Sequence, residues 1–230
     1  MEGALRQLTD ELWPVPLIVE VLRIFPDATF WGVGVLAAST LSYSYGVFFA
    51  SLVEALGIFY LTRMANNTIG IINANPNPDS ADRKCKSSLS GNSMESVSVF
   101  GEPGQIPFPS SHIFMISFIS SYMLSTLIMF KEELDILGNT YGEGYDSRIF
   151  FSVSAFCIIM FIGMCYRLFF KCDGFVVIAV SLFVGILSGV LVVQQNNLLF
   201  GLESINLLGV PILRSRTATG SELYVCSSIS

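Results

Sequence analysis

The stretch FVVIAVSLFVGILSGVLVV, from Phe175 to Val193, contains no charged side chain. Wound as a helix at 1.5 Å per residue, a run of this kind is about as long as the hydrocarbon core of a bilayer is thick, ~30 Å. Backbone in lipid must satisfy its own hydrogen bonds, which makes the helix the natural form for it. Long apolar runs cover roughly 28–43, 46–72, 109–130, 149–170 and 175–194, of which 46–72 carries Glu54 and Arg63 and 149–170 carries Arg167. A last apolar stretch, 197–212, is interrupted by Glu203, Asn206 and Pro211 and reads as either a sixth span or an interfacial segment. The expected fold is therefore all-α: a polytopic membrane helical bundle of about five or six spans.

Composition narrows the function classes. Only 13% of the residues are charged and 52% are hydrophobic, against about 25% charged in soluble domains. Mean hydropathy is +0.63. A net charge of -6 lacks the basic face of a nucleic-acid binder, so no nucleic-acid partner is expected. The five cysteines, Cys85, Cys157, Cys165, Cys172 and Cys226, form no CxxC and no Cys/His pairing. That argues against zinc, and neither a metal nor another cofactor is expected. Cys157 and Cys165 lie within an apolar run, where a thiol behaves as a small hydrophobe. The odd count leaves the redox compartment open.

Three regions follow. Residues 1–26 are too short in their apolar part to span and read as an N-terminal interfacial helix anchored by Trp13, with Pro26 and Asp27 restarting the chain. The opening MEGALRQLTDELW lacks the basic-then-apolar order of a secretory signal, so none is expected. Residues 27–212 form the bundle, with a hydrophilic loop at 75–108 rich in Ser, Asn and Pro, and a charged loop, KEELDILGNTYGEGYDSR, at 131–148. Residues 213–230 read as a mobile polar tail. Glu54, inside a span, is expected to face the bundle interior, either as a protonated hydrogen-bonding group or as part of a substrate site.

Counting span ends places the end of the second span, the start of the third, the end of the fourth and the start of the fifth at one membrane face. Arg83, Lys84, Lys86 and Lys171 lie on that face, and Lys131, Arg148, Arg214 and Arg216 lie opposite. The charge balance therefore does not orient the bundle.

At that face stands Pro109-Ser110-Ser111-His112, directly ahead of a span. Backbone N–H groups at a helix start favour an anion, and the two hydroxyls add donors. In the fifth span Ser181, Gly185 and Gly189 repeat at four-residue intervals, the pattern of close helix packing. Together these resemble the type-2 phosphatidic acid phosphatase superfamily, which includes lipid and polyprenyl-diphosphate phosphatases. The four-residue motif is that of the polyprenyl-diphosphate branch. GEPGQIPFPSSH, with its Gly-x-Pro-Gly lead-in, is also similar to phosphatase-like membrane proteins of large DNA viruses.

The resemblance covers roughly 46–194 and implies specific roles. Ser110, Ser111, His112 and Arg167 are its phosphate-binding candidates, and His112 is the acid that protonates the leaving group. The same register places the family's nucleophilic histidine at Asp173, its partner aspartate at Val177 and a serine at Tyr166. The family's first motif falls on Asn75-Pro76 or Asn77-Pro78, with its lysine at Thr68 or Gly70, so no cation stands there. His112 is the only histidine in the chain, and a phosphohistidine cannot form at Asp173. Arg167 and Asp173 are expected either to pair with one another or, for Arg167, to contact phosphate.

The resemblance thus implies a degenerate, catalytically inactive member with vestigial His112, Arg167 and Asp173. Such a chain would act as a scaffold or lipid-binding component, a membrane component of a large virus particle among the settings implied. Its partners would be membrane lipids, and other proteins through the 75–108 loop and the C-terminal tail. The alternative is an active lipid or polyprenyl-diphosphate phosphatase with an atypical site.

Overall fold

The computed structural model describes residues 15–70, 85, 108–141, 144–207 and 209. Among these residues there is no strand. In chain order the helices are α1 (Val15–Thr40), α2 (Tyr43–Ile69), α3 (Ser111–Met129), α4 (Lys131–Tyr141), α5 (Gly144–Phe169) and α6 (Phe175–Phe200), followed by a 3₁₀ helix, Leu202–Ile205. Four helical segments are long and apolar enough to cross a membrane: Tyr43–Ile69, Ser111–Met129, Phe150–Phe169 and Phe175–Phe200. The fold is an all-α bundle of the membrane type.

Several boundaries differ from the sequence expectation. The chain does not restart at Pro26. α1 runs unbroken through it, with Pro26 and Asp27 both buried. An interior proline removes one helical hydrogen bond, and here packing offsets that loss: one turn on, Phe30 is buried against Phe49 of α2 at a ring separation of 5.2 Å. The helix is long enough to cross a bilayer, about 39 Å at 1.5 Å per residue, but Glu20, Arg23 and Asp27 keep it more polar than the other four.

The charged stretch after α3 is likewise not a loop. It forms α4, and α5 already begins at Gly144. Leu134 and Leu137 share one face of α4 and are buried in the core, while Glu132 and Glu133 occupy its first turn, where the helix dipole favours negative charge.

Pro109 does not open α3. The Phe108–Pro109 peptide is cis, Ser110 is the N-cap, and the helix starts at Ser111. At the far end, the described part of 197–212 makes no separate α-helix. α6 continues to Phe200, Gly201 (φ 79°) ends it, and the 3₁₀ turn folds back with Ser204 and Ile205 buried. The first fourteen residues, the tail at 213–230, and the 75–108 loop apart from Cys85 and Phe108 lie outside the described residues.

α3 is the axis of the bundle. Every residue from Ser111 to Tyr122 is buried, the polar Ser111, His112, Ser117, Ser120 and Ser121 included. Phe59 meets Phe114 and Phe48 meets Tyr122, so α2 runs antiparallel to α3. α6 runs parallel to α3, because Gly185 abuts Phe114 and Ser117 while Gly189 abuts Phe118 and Ser121.

The α3–α6 approach depends on missing Cβ atoms. A Cβ on Gly185 would overlap Ser117 Oγ and lie 2.6 Å from the Phe114 carbonyl oxygen; one on Gly189 would overlap Ser121 Oγ and lie 2.6 Å from that of Phe118. Ser117 donates back to the Ile113 carbonyl (2.7 Å), which satisfies its hydroxyl within α3. Ser181 is fully buried one turn before Gly185. This is small-residue packing, in which dispersion between close backbones takes the place of the hydrophobic effect.

Candidate functional site

α2 and α5 end, and α3 and α6 begin, at the same end of the bundle. The last turn of α5 carries Arg167. The chain then reverses: Lys171 takes up left-handed backbone (φ 52°) and the Cys172 N–H returns to the Arg167 carbonyl at 2.9 Å. That turn swings Asp173 back over the Arg167 side chain, and Gly174 caps α6 immediately afterwards.

Arg167 Nε donates to Asp173 Oδ2 at 2.6 Å. Ser110, its N-cap hydroxyl turned away from its own helix, donates to the same oxygen at 2.6 Å. The Ser110 N–H, which would otherwise be one of the orphan donors at a helix start, is taken up by Ser181 Oγ at 2.8 Å. Arg167 Nη1 donates to the Cys85 carbonyl (2.7 Å) and toward His112 Nδ1 (3.3 Å). A guanidinium has no acceptor, so Nδ1 is the accepting nitrogen and the proton of a neutral His112 ring sits on Nε2.

All these groups are withdrawn from solvent. Ser110 is 0% exposed, Ser111 1%, Arg167 and His112 2%, and Asp173 5%. A disulfide between Cys85 and Cys172 joins the 75–108 segment to the α5–α6 link beside them. The result, among the described residues, is a buried polar cluster whose one cation is turned onto a carboxylate, a carbonyl and an imidazole. Asp173 Oδ1 is buried with no hydrogen-bond partner among the described residues.

The structure thus brings Ser110, His112, Arg167, Asp173 and Ser181 together, with Ser111 as the first helical residue beside them. Gly185 and Gly189 lie deeper along the α3–α6 seam and take no part in the cluster. Tyr166 and Val177 are buried, and Val177 offers no polar group. Thr68 is exposed, with its hydroxyl on the Met64 carbonyl, and Gly70 is the left-handed C-cap of α2 (φ 66°). Neither position carries a cation, and Asn75-Pro76 and Asn77-Pro78 lie outside the described residues. No group of three or more His, Cys, Asp or Glu that could hold a metal ion occurs among the described residues.

Sequence reasoning missed two features. One is the disulfide. Its signal was the placement of the cysteines: Cys85 and Cys172 lie in polar segments at the same end, whereas Cys157 and Cys165 sit in an apolar run and are free. The other is a second polar cluster toward the opposite end. Asn196 Nδ2 donates to Ser51 Oγ (2.7 Å) and Tyr122 Oη (3.2 Å), and Ser204 Oγ donates to the Asn196 carbonyl (3.3 Å). Nearby, half-buried Glu54 accepts from Gln195 Nε2 at 3.3 Å. Sequence left Glu54 open between a hydrogen-bonding and a substrate role, and the contact the structure gives it is this one, with an amide donor.

No family model, no curated protein and no solved structure matches the chain.

Proposed function

We propose that this chain is a multi-pass integral membrane protein in which a phosphatase-like site has become a structural clasp, and that it serves as a scaffold or lipid-contacting component rather than an enzyme. One observation carries the proposal: Arg167, the only cation of the cluster among the described residues, is buried and committed to Asp173, the Cys85 carbonyl and His112. A phosphate group entering here would meet the Asp173 carboxylate. At about 4 Å and an effective dielectric near 20, each pair of like unit charges costs about 4 kcal/mol. Electrostatic stabilisation of a phosphoryl transition state needs cations free to face it, and the chain has no second imidazole to act as a nucleophile.

The outer surface supports the membrane role. Phe150, Phe151, Phe161 and Phe169 on α5, and Phe183, Leu191 and Leu198 on α6, are large, apolar and exposed, as lipid-facing side chains are. The hydrophilic 75–108 loop and the 213–230 tail are the parts suited by composition to contact other proteins.

A second reading, an active lipid or polyprenyl-diphosphate phosphatase using Asp173 as nucleophile, draws on the unpartnered Asp173 Oδ1. One experiment separates the two. Purified protein in nanodiscs, offered phosphatidic acid or a polyprenyl diphosphate, is expected to release no more phosphate than its His112→Ala variant. Turnover above that level that disappears in Asp173→Asn protein still eluting as the folded bundle on size exclusion would establish the second reading instead.

A further inference from the structure

The connecting segments carry Arg83, Lys84, Lys86 and Lys171 against Lys131, Arg148, Arg214 and Arg216, and Arg167 at the first end is paired with Asp173, so charge leaves the orientation of the bundle open. The cysteines do not. Of the four described, the two in polar segments at the Arg167 end are joined, and the two on the apolar surface of α5 are free. We propose that the end of the bundle holding Cys85, Cys172, Arg167 and Asp173 faces the oxidising side of its membrane, so that the α1–α2 turn and α4 face the reducing side. This inference is independent of whether the cluster turns over any substrate.

The chemistry requires an aqueous, oxidising setting. Forming the bond removes two protons and two electrons from two thiols, and the acceptor is a small-molecule or protein disulfide that leaves as two thiols. The attacking species is a thiolate, which needs water and an accessible partner. Both cysteines lie in hydrophilic stretches, ADRKCKSS and KCDG, so both are in water before the bundle closes. In a cytosol, glutathione and thioredoxin keep such thiols reduced; in a secretory lumen, a periplasm or the cell exterior the bond persists. Burial then protects it, with Cys85 6% and Cys172 1% exposed.

The surroundings are arranged for this pair. Arg167 Nη1 holds the Cys85 carbonyl at 2.7 Å, while the Cys172 N–H is held by the Arg167 carbonyl at 2.9 Å. One residue therefore positions both partners of the disulfide. The side chain of Asp173, next to Cys172, fixes that arginine in turn. Such an arrangement has a purpose where the bond is permanent.

The test uses the full chain in sealed microsomes whose cytosolic face is outward. Cys157, Cys165 and Cys226 are replaced by Ser, and one reporter cysteine is added at exposed Thr68 (Thr68→Cys, Arg167 end) or exposed Ser39 (Ser39→Cys, opposite end). Before reduction the parent is expected to present no alkylatable thiol, and after denaturation and reduction two. Each reporter variant is expected to present one alkylatable thiol before reduction and three after, which shows that its disulfide has formed. A membrane-impermeant maleimide is expected to label Ser39→Cys in intact vesicles and Thr68→Cys only after permeabilisation. Labelling of Thr68→Cys in intact vesicles, or alkylation of Cys85 and Cys172 without reductant, would overturn the proposal.

Discussion

Arg167 Nε lies 2.6 Å from Asp173 Oδ2, with both side chains buried. An ion pair withdrawn from water gains little over an apolar pair of the same shape, because desolvation offsets the attraction. Breaking it from one side is a different matter, since an uncompensated charge is left in a low-dielectric interior.

Asp173→Asn is therefore expected to destabilise the bundle by about 3–5 kcal/mol. The double variant Arg167→Met/Asp173→Leu should recover most of that loss. Thermal unfolding in detergent, followed by size-exclusion chromatography, measures both. Losses of Arg167→Met and Asp173→Leu alone that simply add in the double variant would show that the pair does not act as a clasp.

Gly185→Ala and Gly189→Ala are each expected to cost about 1–3 kcal/mol, the usual range for overpacking. Both added methyl groups meet backbone carbonyls of α3 as well as serine hydroxyls, and backbone cannot yield as a flexible side-chain tip can. Gly57→Ala in α2 is the control. Nothing lies within 4 Å of its added Cβ, and the higher helix propensity of alanine should stabilise by up to about 1 kcal/mol. Unfolding midpoints that fall in the first two variants and hold or rise in the third would bear this out.

Reduction should lower the unfolding midpoint of the wild type and leave Cys85→Ser/Cys172→Ser unchanged. The bond joins residues separated by 87 positions, and the chain-entropy model assigns a loop of that size about 4–5 kcal/mol. That is an upper value here, because helices that remain in the bilayer already restrict the unfolded chain. Paired melting curves with and without reductant measure the difference.

The second polar cluster should be worth less than its appearance. Asn196→Leu removes the donor to both Ser51 and Tyr122. Hydrogen bonds between membrane helices average about 0.6 kcal/mol, with a maximum near 1.7. A loss of no more than about 3 kcal/mol is expected for the two together, read from the same unfolding assay. A larger loss would mark Asn196 as a packing anchor for the 3₁₀ turn that returns over it.

Much of the fold was legible in the chain. The long apolar runs, near bilayer length, required helices, and their order required that Pro109, Arg167 and Asp173 meet at one end. Ser181, Gly185 and Gly189 announced a close helix seam because small residues at four-residue spacing share one face. α1 and α4 were misjudged where a local signal competed with packing. Pro26 looked like a boundary because proline breaks an isolated helix, yet Phe30 and its neighbours hold α1 together across it. The charges of 131–141 looked like a loop, yet Leu134 and Leu137 had a core to enter.

By itself, then, the sequence determined that the long apolar segments are helical, that lipid is the solvent for most of them, and that the chain has a single imidazole. Only the tertiary structure decided what the polar groups do. Ser110 bonds Asp173 across 63 positions, Arg167 reaches the Cys85 carbonyl across 82, and Cys85 joins Cys172 across 87. Helix formation is governed by near neighbours along the chain, whose effects repeat at 3.6 residues and can be read from the order of side chains. The partner of a buried charge is chosen by desolvation among whatever groups the packed helices bring within reach, and that choice exists only once the bundle has closed.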